Sequence, residues 1–237
     1  MKYKRVLLKL SGEALGLRGR QGGIGLDSAD AIAGEIEAVS KAGAEVSVVI
    51  GGGNIFRGAV AAEGGAIEQA QADMMGMLAT VINGLALQSA LERRGLDARL
   101  LTAISMPQIA EPFIRRRALA HLARGRVLVF AGGTGSPFFS TDTAAALRAV
   151  EINAEVILKG TKVDGVYSAD PVKEPKAERF DSLTFVDVLS RRLKVMDATA
   201  ISMCMEHNLP IIVFDIFKPK NLMSAVKGEK TGTIIYG

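Results

Sequence analysis

Four apolar segments of this 237-residue chain end in residues suited to holding an anion. Tyr3–Leu10 runs into Lys9-Leu10-Ser11-Gly12, and Glu45–Ile50 into Gly51-Gly52-Gly53-Asn54, with Arg57 one turn further on. Arg126–Phe130 leads to Ala131-Gly132-Gly133-Thr134-Gly135, and Glu155–Leu158 to Lys159-Gly160-Thr161-Lys162-Val163-Asp164-Gly165. All four ends carry glycines or hydroxyls, and three add a cation. Glycine lets backbone N–H groups approach an oxyanion, and a helix N-terminus adds a positive dipole. One such cluster alone is as readily a tight turn; four in series favour a phosphorylated ligand. Carboxylates stand close to these ends. Asp142 opens a helix just after Ser140-Thr141, Asp164 and Asp170 flank a turn, and Asp73 lies early in a long uncharged helix. Phosphoryl transfer needs positioning and charge neutralisation more than covalent help, and an aspartate can orient the cations that supply it. Asp142 also reads simply as a first-turn acid, but Ser140 or Thr141 could cap that helix without it.

Composition narrows the chemistry. The chain is 49% hydrophobic and 23% charged, with a net charge of +4, as expected of a folded protein with a sizeable core. The charge suits anionic ligands but is too mild for a nucleic-acid binder, and only 5% of residues are aromatic, too few for base stacking. One cysteine, Cys204, excludes an internal disulfide and a cysteine-based zinc site. His121 and His207 have no second histidine at ligand spacing. The arginines Arg115, Arg116, Arg117, Arg124 and Arg126 read as a solvated helix face. No G-x-x-x-x-G-K-[ST] loop, no G-x-G-x-x-G after a strand and no H-R-D or D-F-G motif occurs. The ligand-holding loops therefore belong to none of the commonest nucleotide-binding patterns.

The elements that must position these residues alternate between strand and helix. Helices are expected over Asp27–Ala42 (capped by Asp27 or Ser28), Glu68–Arg94, Glu111–Arg124, Thr141–Asn153, Thr184–Leu193, Met196–Asn208 and Pro219–Val226. Besides the four segments above, strands are expected over Ala98–Leu101, Pro210–Asp215 and Thr233–Tyr236, with a small strand or hairpin arm at Asp164–Ser168. Most are continuous apolar runs, which predicts burial on both faces and hence an α/β sandwich with a mainly parallel central sheet. No Pro- or Ser-rich linker divides the chain, so residues 1–237 read as one domain. No targeting segment is visible, since Lys9 interrupts the apolar run after Lys2, Lys4 and Arg5. Met74–Leu91 carries no charge over 18 residues, but Thr80, Asn83, Gly84, Gln88 and Ser89 fit a core or interface helix better than a bilayer span.

In this order, the blocks resemble those of the bacterial uridylate (UMP) kinases of the amino-acid kinase superfamily. The resemblance runs through Lys4–Ala14, Val49–Gly58, Asp73–Thr80, Gly133–Asp142, Lys159–Pro171 and Leu193–Asp197. The Asn54-Ile55-Phe56-Arg57-Gly58, Asp73-Met74-Met75-Gly76-Met77 and Thr134-Gly135-Ser136-Pro137-Phe138-Phe139 blocks carry the specific part of it. It implies the three-layer α/β/α amino-acid kinase fold and transfer of the ATP γ-phosphate to UMP, with Mg²⁺ carried by ATP phosphates and no protein side chain expected as a metal ligand. It further implies that Lys9, Leu10, Ser11 and Gly12 hold the ATP phosphates, with Lys9 neutralising charge in the transition state, and that Gly53 and Arg57 contact ATP. Thr161, Tyr167 and Asp170 would bind the ATP nucleoside. Gly52, Asp73 and the run Thr134-Gly135-Ser136-Pro137-Phe138-Phe139-Ser140-Thr141 would form the UMP pocket, Asp73 on the ribose. Asp142 would organise the lysines and the metal, and Asp197 would help position catalytic groups. A second catalytic lysine would be Lys159 or Lys162. The monophosphate side would fall mainly in the N-terminal half and the ATP side in the C-terminal half. A cytoplasmic homohexamer, activated by GTP and inhibited by UTP, is implied too, with Met74–Leu91 at a dimer contact. The arginine-bearing loop Leu17–Gly25, with Arg18 and Arg20, occupies the region associated with the GTP response. No binding to nucleic acid or membrane is expected. The alternatives are a kinase of this superfamily acting on a small acid, which would not need Asp73 and Thr134–Phe139, and a storage or regulatory protein, which would not need Lys9, Arg57 and Asp142.

Overall fold

The computed structural model describes residues 1–17, 22–58, 65, 67–171, 173–174 and 176–237. Arg18 and Arg20 therefore lie outside the described residues. The chain begins with β1 (Arg5–Leu10), a 3₁₀ turn (Gly12–Leu15), α1 (Leu26–Lys41) and β2 (Glu45–Ile50). Next come α2 (Gln69–Arg93), β3 (Ala98–Thr102), β4 (Glu111–Pro112), α3 (Arg115–Ala123), β5 (Val127–Ala131), α4 (Thr141–Glu151) and β6 (Val156–Thr161). A small antiparallel pair, β7 (Val166–Tyr167) and β8 (Arg179–Phe180), leads to β9 (Ser182–Thr184), α5 (Phe185–Ser190) and α6 (Ala198–Glu206). The last elements are β10 (Ile211–Asp215), α7 (Asn221–Lys227) and β11 (Gly232–Tyr236).

Nine strands form one sheet in the order β4-β3-β5-β2-β1-β6-β10-β11-β9. Every pairing from β4 to β10 is parallel, and β11 turns the direction by pairing antiparallel to β10. The expected α/β sandwich with a mainly parallel sheet is thus the observed fold. Alternate residues explain the continuous apolar runs. In β1, Val6, Leu8 and Leu10 join the core under α1, α2 and α7, while Leu7 faces the second core with α3 to α6. In β2, Val46, Val48 and Ile50 take the first core and Val49 the second. A strand buried on both faces has no polar face to alternate with.

Element limits shift where local signals compete. Glu111–Arg124 is not one helix: Glu111 and Pro112 form edge strand β4 on β3, and the helix starts at Arg115. The residue before a proline is pushed out of helical geometry, and the ladder to β3 captures it. The first helix starts at Leu26 with Gly25 at its N-cap, not Asp27 or Ser28. Ser28 Oγ donates instead to the Gly16 carbonyl at 3.0 Å. The last helix starts at Asn221 rather than Pro219, behind Lys220 in left-handed backbone. β8 and β9, which sequence reasoning misses, are too short and exposed to leave an apolar pattern. Helix α2 has the length and apolar content of a membrane span, but half of its most apolar window is buried in the fold. It packs on α1, β3 and β5 as a core helix.

Candidate active site

The sheet register decides the most consequential contact. Lys9 of β1 lies directly opposite Lys159 of β6. Both share the parity of Leu7 and Ile157, so both point to the sheet face covered by α4. Two ammoniums side by side near the carboxyl ends of parallel strands require an anion between them, and α4 supplies it. Lys9 Nζ lies 2.6 Å from Asp142 Oδ1, and Lys159 Nζ donates to Asp142 Oδ2 at 2.9 Å. Lys159 also donates to the Val195 carbonyl. The three side chains are at most 16% exposed. Burial pushes the Asp142 carboxyl up, but the charges of Lys9 and Lys159 outweigh it and hold the group below its ordinary value. Burial draws the Lys159 ammonium down, Asp142 opposes this, and Lys9 adds to it. Lys159 and not Lys162 therefore accompanies Lys9, because β6 runs on to Thr161 and keeps Lys159 within the ladder.

Local chemistry holds Asp142 in place. Ser140 is the N-cap of α4, its Oγ accepting from Asp142 N at 2.9 Å and Thr143 N at 3.2 Å. Ser140 Oγ donates to Asp197 Oδ2, and Thr143 Oγ1 donates to the same carboxylate at 2.9 Å. Asp197 in turn caps α6 through Ala200 N. Its charge favours the charged form of Lys159. Asp197 thus locks the start of α4 to the start of α6 and makes no direct contact with the lysines.

Beside this cluster opens a cleft. Of the residues expected around a monophosphate, Gly52, Asp73, Phe139, Ser140 and Thr141 line it. Thr134, Gly135, Ser136 and Pro137 form a turn that does not line it. Phe138 adopts left-handed backbone, φ 70°, and its N–H donates to Asp73 Oδ2 at 2.8 Å. Gln69 donates to Asp73 Oδ1 at 2.8 Å, so each oxygen already faces a donor. The neighbouring glycines differ in what they do. A Cβ on Gly52 would meet the Gly76 carbonyl at 2.7 Å, so that residue is small because α2 crosses it. A Cβ on Gly53 would meet nothing within 4 Å.

Sequence reasoning misses the residues that brace these loops. Asn83, buried on α2, donates to the Gly51 carbonyl at 2.7 Å and exchanges hydrogen bonds with Asn54 at 2.7 and 3.1 Å. Thr80 Oγ1 accepts from Gly132 N at 2.7 Å. One helix thereby anchors the turns after β2 and β5. The signal was present as two polar residues, Thr80 and Asn83, within the uncharged stretch Met74–Leu91.

The remaining cations gather elsewhere. Arg57 and Lys162 both pair with Glu13 of the 3₁₀ turn, Lys162 at 2.7 Å. Lys162 chiefly, through its hydrogen bond, holds the Glu13 carboxyl below its ordinary range. Arg57 Nε also donates to the Gly53 carbonyl at 3.3 Å. At the end of β6, Thr161 Oγ1 closes its own turn by donating to the Val163 carbonyl at 2.6 Å. Tyr167 donates to Asp164 at 2.6 Å, and Asp170 closes the next turn by accepting Lys173 N and Glu174 N on its carbonyl. Leu10, Ser11 and Gly12 sit between the two cation groups, at the end of β1. Among the described residues no group of three or more His, Cys, Asp or Glu could hold a metal ion.

Comparison with known proteins identifies the family of the fold. The model of the amino acid kinase family matches residues 4–215. The crystal structure of a UMP kinase from Bacillus anthracis superposes with a TM-score of 0.95 at 40% identity, covering 100% of this chain and 97% of that one. A UMP kinase from Ureaplasma parvum gives 0.91 at 37% identity, over 100% of both chains. A uridylate kinase from Archaeoglobus fulgidus gives 0.76 at 32% identity, over 97% and 99%. By the match over residues 4–215 and the full-length likeness to these structures, the chain belongs to the amino acid kinase family.

Proposed function

We propose that this protein is a uridylate kinase, transferring the γ-phosphate of ATP to UMP and giving ADP and UDP, reversibly. The observation that carries the chemistry is the Asp142 carboxylate clamped between Lys9 and Lys159. In the transfer, the bond from the γ-phosphorus to the ADP oxygen breaks and a bond to a UMP phosphate oxygen forms. That oxygen is already ionised near neutral pH, so no general base is needed. What the reaction requires is charge compensation at fixed positions. Lys9 and Lys159 supply it, and Asp142 holds both ammoniums charged and in place. The full-length likeness to UMP kinases supports the choice of acceptor.

The remaining assignments follow the cleft. The backbone of Lys9–Gly12 and Gly53 would cradle the ATP phosphates, with Arg57 reaching phosphate oxygens through its planar fork. Asp73, accepting from Phe138 and Gln69, would accept instead from the ribose hydroxyls of UMP, with Gly52 and the Thr134–Thr141 loop completing that pocket. Thr161, Tyr167 and Asp170 would hold the ATP nucleoside. Mg²⁺ would enter with ATP as part of the substrate. Both Asp142 oxygens face lysines, so the nucleotide phosphates are its fitting ligands. We read residues 1–237 as one domain, with the monophosphate side mainly N-terminal and the ATP side mainly C-terminal. We further read the protein as a cytoplasmic homohexamer, activated by GTP and inhibited by UTP. Exposed Met74, Leu78, Ile82 and Leu85, spaced three or four residues apart on α2, support a contact between copies.

A coupled ADP-release assay with Mg·ATP tests the reading, with UMP, CMP, dUMP, aspartate and carbamate as acceptors, each with and without GTP. Release with UMP is expected. Release only with an acid would move the protein elsewhere in the family, and silence with every acceptor would overturn the enzymatic reading.

A further inference from the structure

Glu13 stands in the 3₁₀ turn that follows β1, and β1 lies between β2 and β6 in the sheet. Its two oxygens are divided between two loops. Oε1 takes Arg57, from the turn after β2, and Oε2 takes Lys162, just beyond β6, at 2.7 Å. One carboxylate thus ties the loop after β2 to the loop after β6. All three side chains are substantially exposed, the two cations by 60% and 64%. Exposed ion pairs of this kind add little to stability, so fold stability does not account for three long side chains converging here. The arrangement has another reading. Two anionic oxygens bridging a guanidinium and an ammonium are also what a phosphate group presents to the same pair.

We infer that Glu13 is an internal competitor of the nucleotide phosphates: it engages Arg57 and Lys162 and must release them for the phosphates to bind. The inference rests on the phosphoryl-transfer reading of this site. Glu13 acts through these two cations and is a positioning residue. It lowers phosphate affinity by competing for them, and it keeps them at the cleft mouth for the phosphate to take. The competition is selective. A polyphosphate can replace both contacts at once, whereas a single small anion replaces one and leaves the other with Glu13.

The test is Glu13→Gln, which keeps the shape and removes the charge. Tripolyphosphate binding, followed by calorimetry without turnover, is expected to tighten about threefold to tenfold in the variant. The KM for ATP should fall by a similar factor, with kcat within about threefold. Glu13→Asp, which restores the charge, should return tripolyphosphate affinity toward wild type. In a Lys162→Gln background the gain from Glu13→Gln should shrink, because one contested cation is gone. Tripolyphosphate affinity unchanged or weaker in Glu13→Gln, with a normal unfolding transition, would overturn the inference. So would an equal gain with and without Lys162. The binding arm stands apart from turnover, so failure of wild-type protein to phosphorylate UMP would sink the kinase reading while the tripolyphosphate comparison still judged Glu13.

Discussion

Asp142 and Glu13 each hold two cations, and burial separates them. Asp142 sits between Lys9 and Lys159 with all three side chains at most 16% exposed, on rigid strands and the first turn of a helix. Glu13 sits between Arg57 and Lys162 on turns open to water. Water screens the second group and scarcely reaches the first. The buried group is therefore costly to disturb and geometrically fixed, as a group acting on a developing charge must be. The exposed group is cheap to rearrange, as a group that exchanges partners must be.

The comparison breaks most readily at its catalytic end. Lys9→Ala should lower kcat for UMP phosphorylation by at least ~10³, given the charge it offsets in the transition state. Lys159→Ala should fall in the same range, and Lys162→Ala should stay within about tenfold in kcat. Steady-state kinetics of the three variants would erase the distinction if Lys162 proved as damaging as Lys159. Stability gives the next largest contrast. Asp142→Asn leaves two neighbouring ammoniums buried without a counter-charge and should cost about 3–5 kcal/mol. Glu13→Gln should cost less than about 1 kcal/mol. Urea unfolding of both reads the difference directly, and equal losses would contradict the role given to burial.

Asp73 offers a third, more local effect. It touches a non-reacting part of the acceptor in the proposed complex, so Asp73→Asn should raise the KM for UMP by roughly tenfold, with less change in kcat or in the KM for ATP. A rise confined to ATP would reverse the assignment of the two sides. The smallest effect concerns pH. The Asp142 carboxyl is lowered in the fold, so its stabilising contribution is complete above the ordinary carboxylate pKa and disappears as pH falls through the lower folded value. The stability gap between wild type and Asp142→Asn should accordingly hold from pH 7 to about 4, the ordinary aspartate value, and narrow as pH falls below it. Lys159 acts in the opposite region. Its ammonium is lowered, so its penalty is present at neutral pH and lifts only as pH rises toward the ordinary lysine range.

Much of the site was legible as residue types at strand ends. The glycine clusters, Lys9, Arg57, Asp142 and the serine cap of α4 follow from chemistry within a few residues of one another. Glu111–Pro112 was misread as the start of a helix, because an edge strand of two residues leaves no apolar pattern and only its pairing with β3 defines it. Lys159 and Lys162 were not separable, because both follow the same apolar run and only the true end of β6 puts one of them inside the ladder. Glu13 left no signal at all. Its partners lie 44 and 149 positions away, and nothing near it in the chain hints at either.

By itself, then, the sequence determined an α/β chain with double-sided strands and an anion-binding edge. Apolar runs, caps and glycine turns act over short distances and need no partner to be read. Strand order was left to the tertiary structure, because pairing between β1, β2 and β6 is a long-range choice made by the whole sheet. That order sets Lys9 against Lys159, brings α4 over them so that Asp142 can settle both charges, and leaves Glu13 reaching from the central strand to the loops on either side.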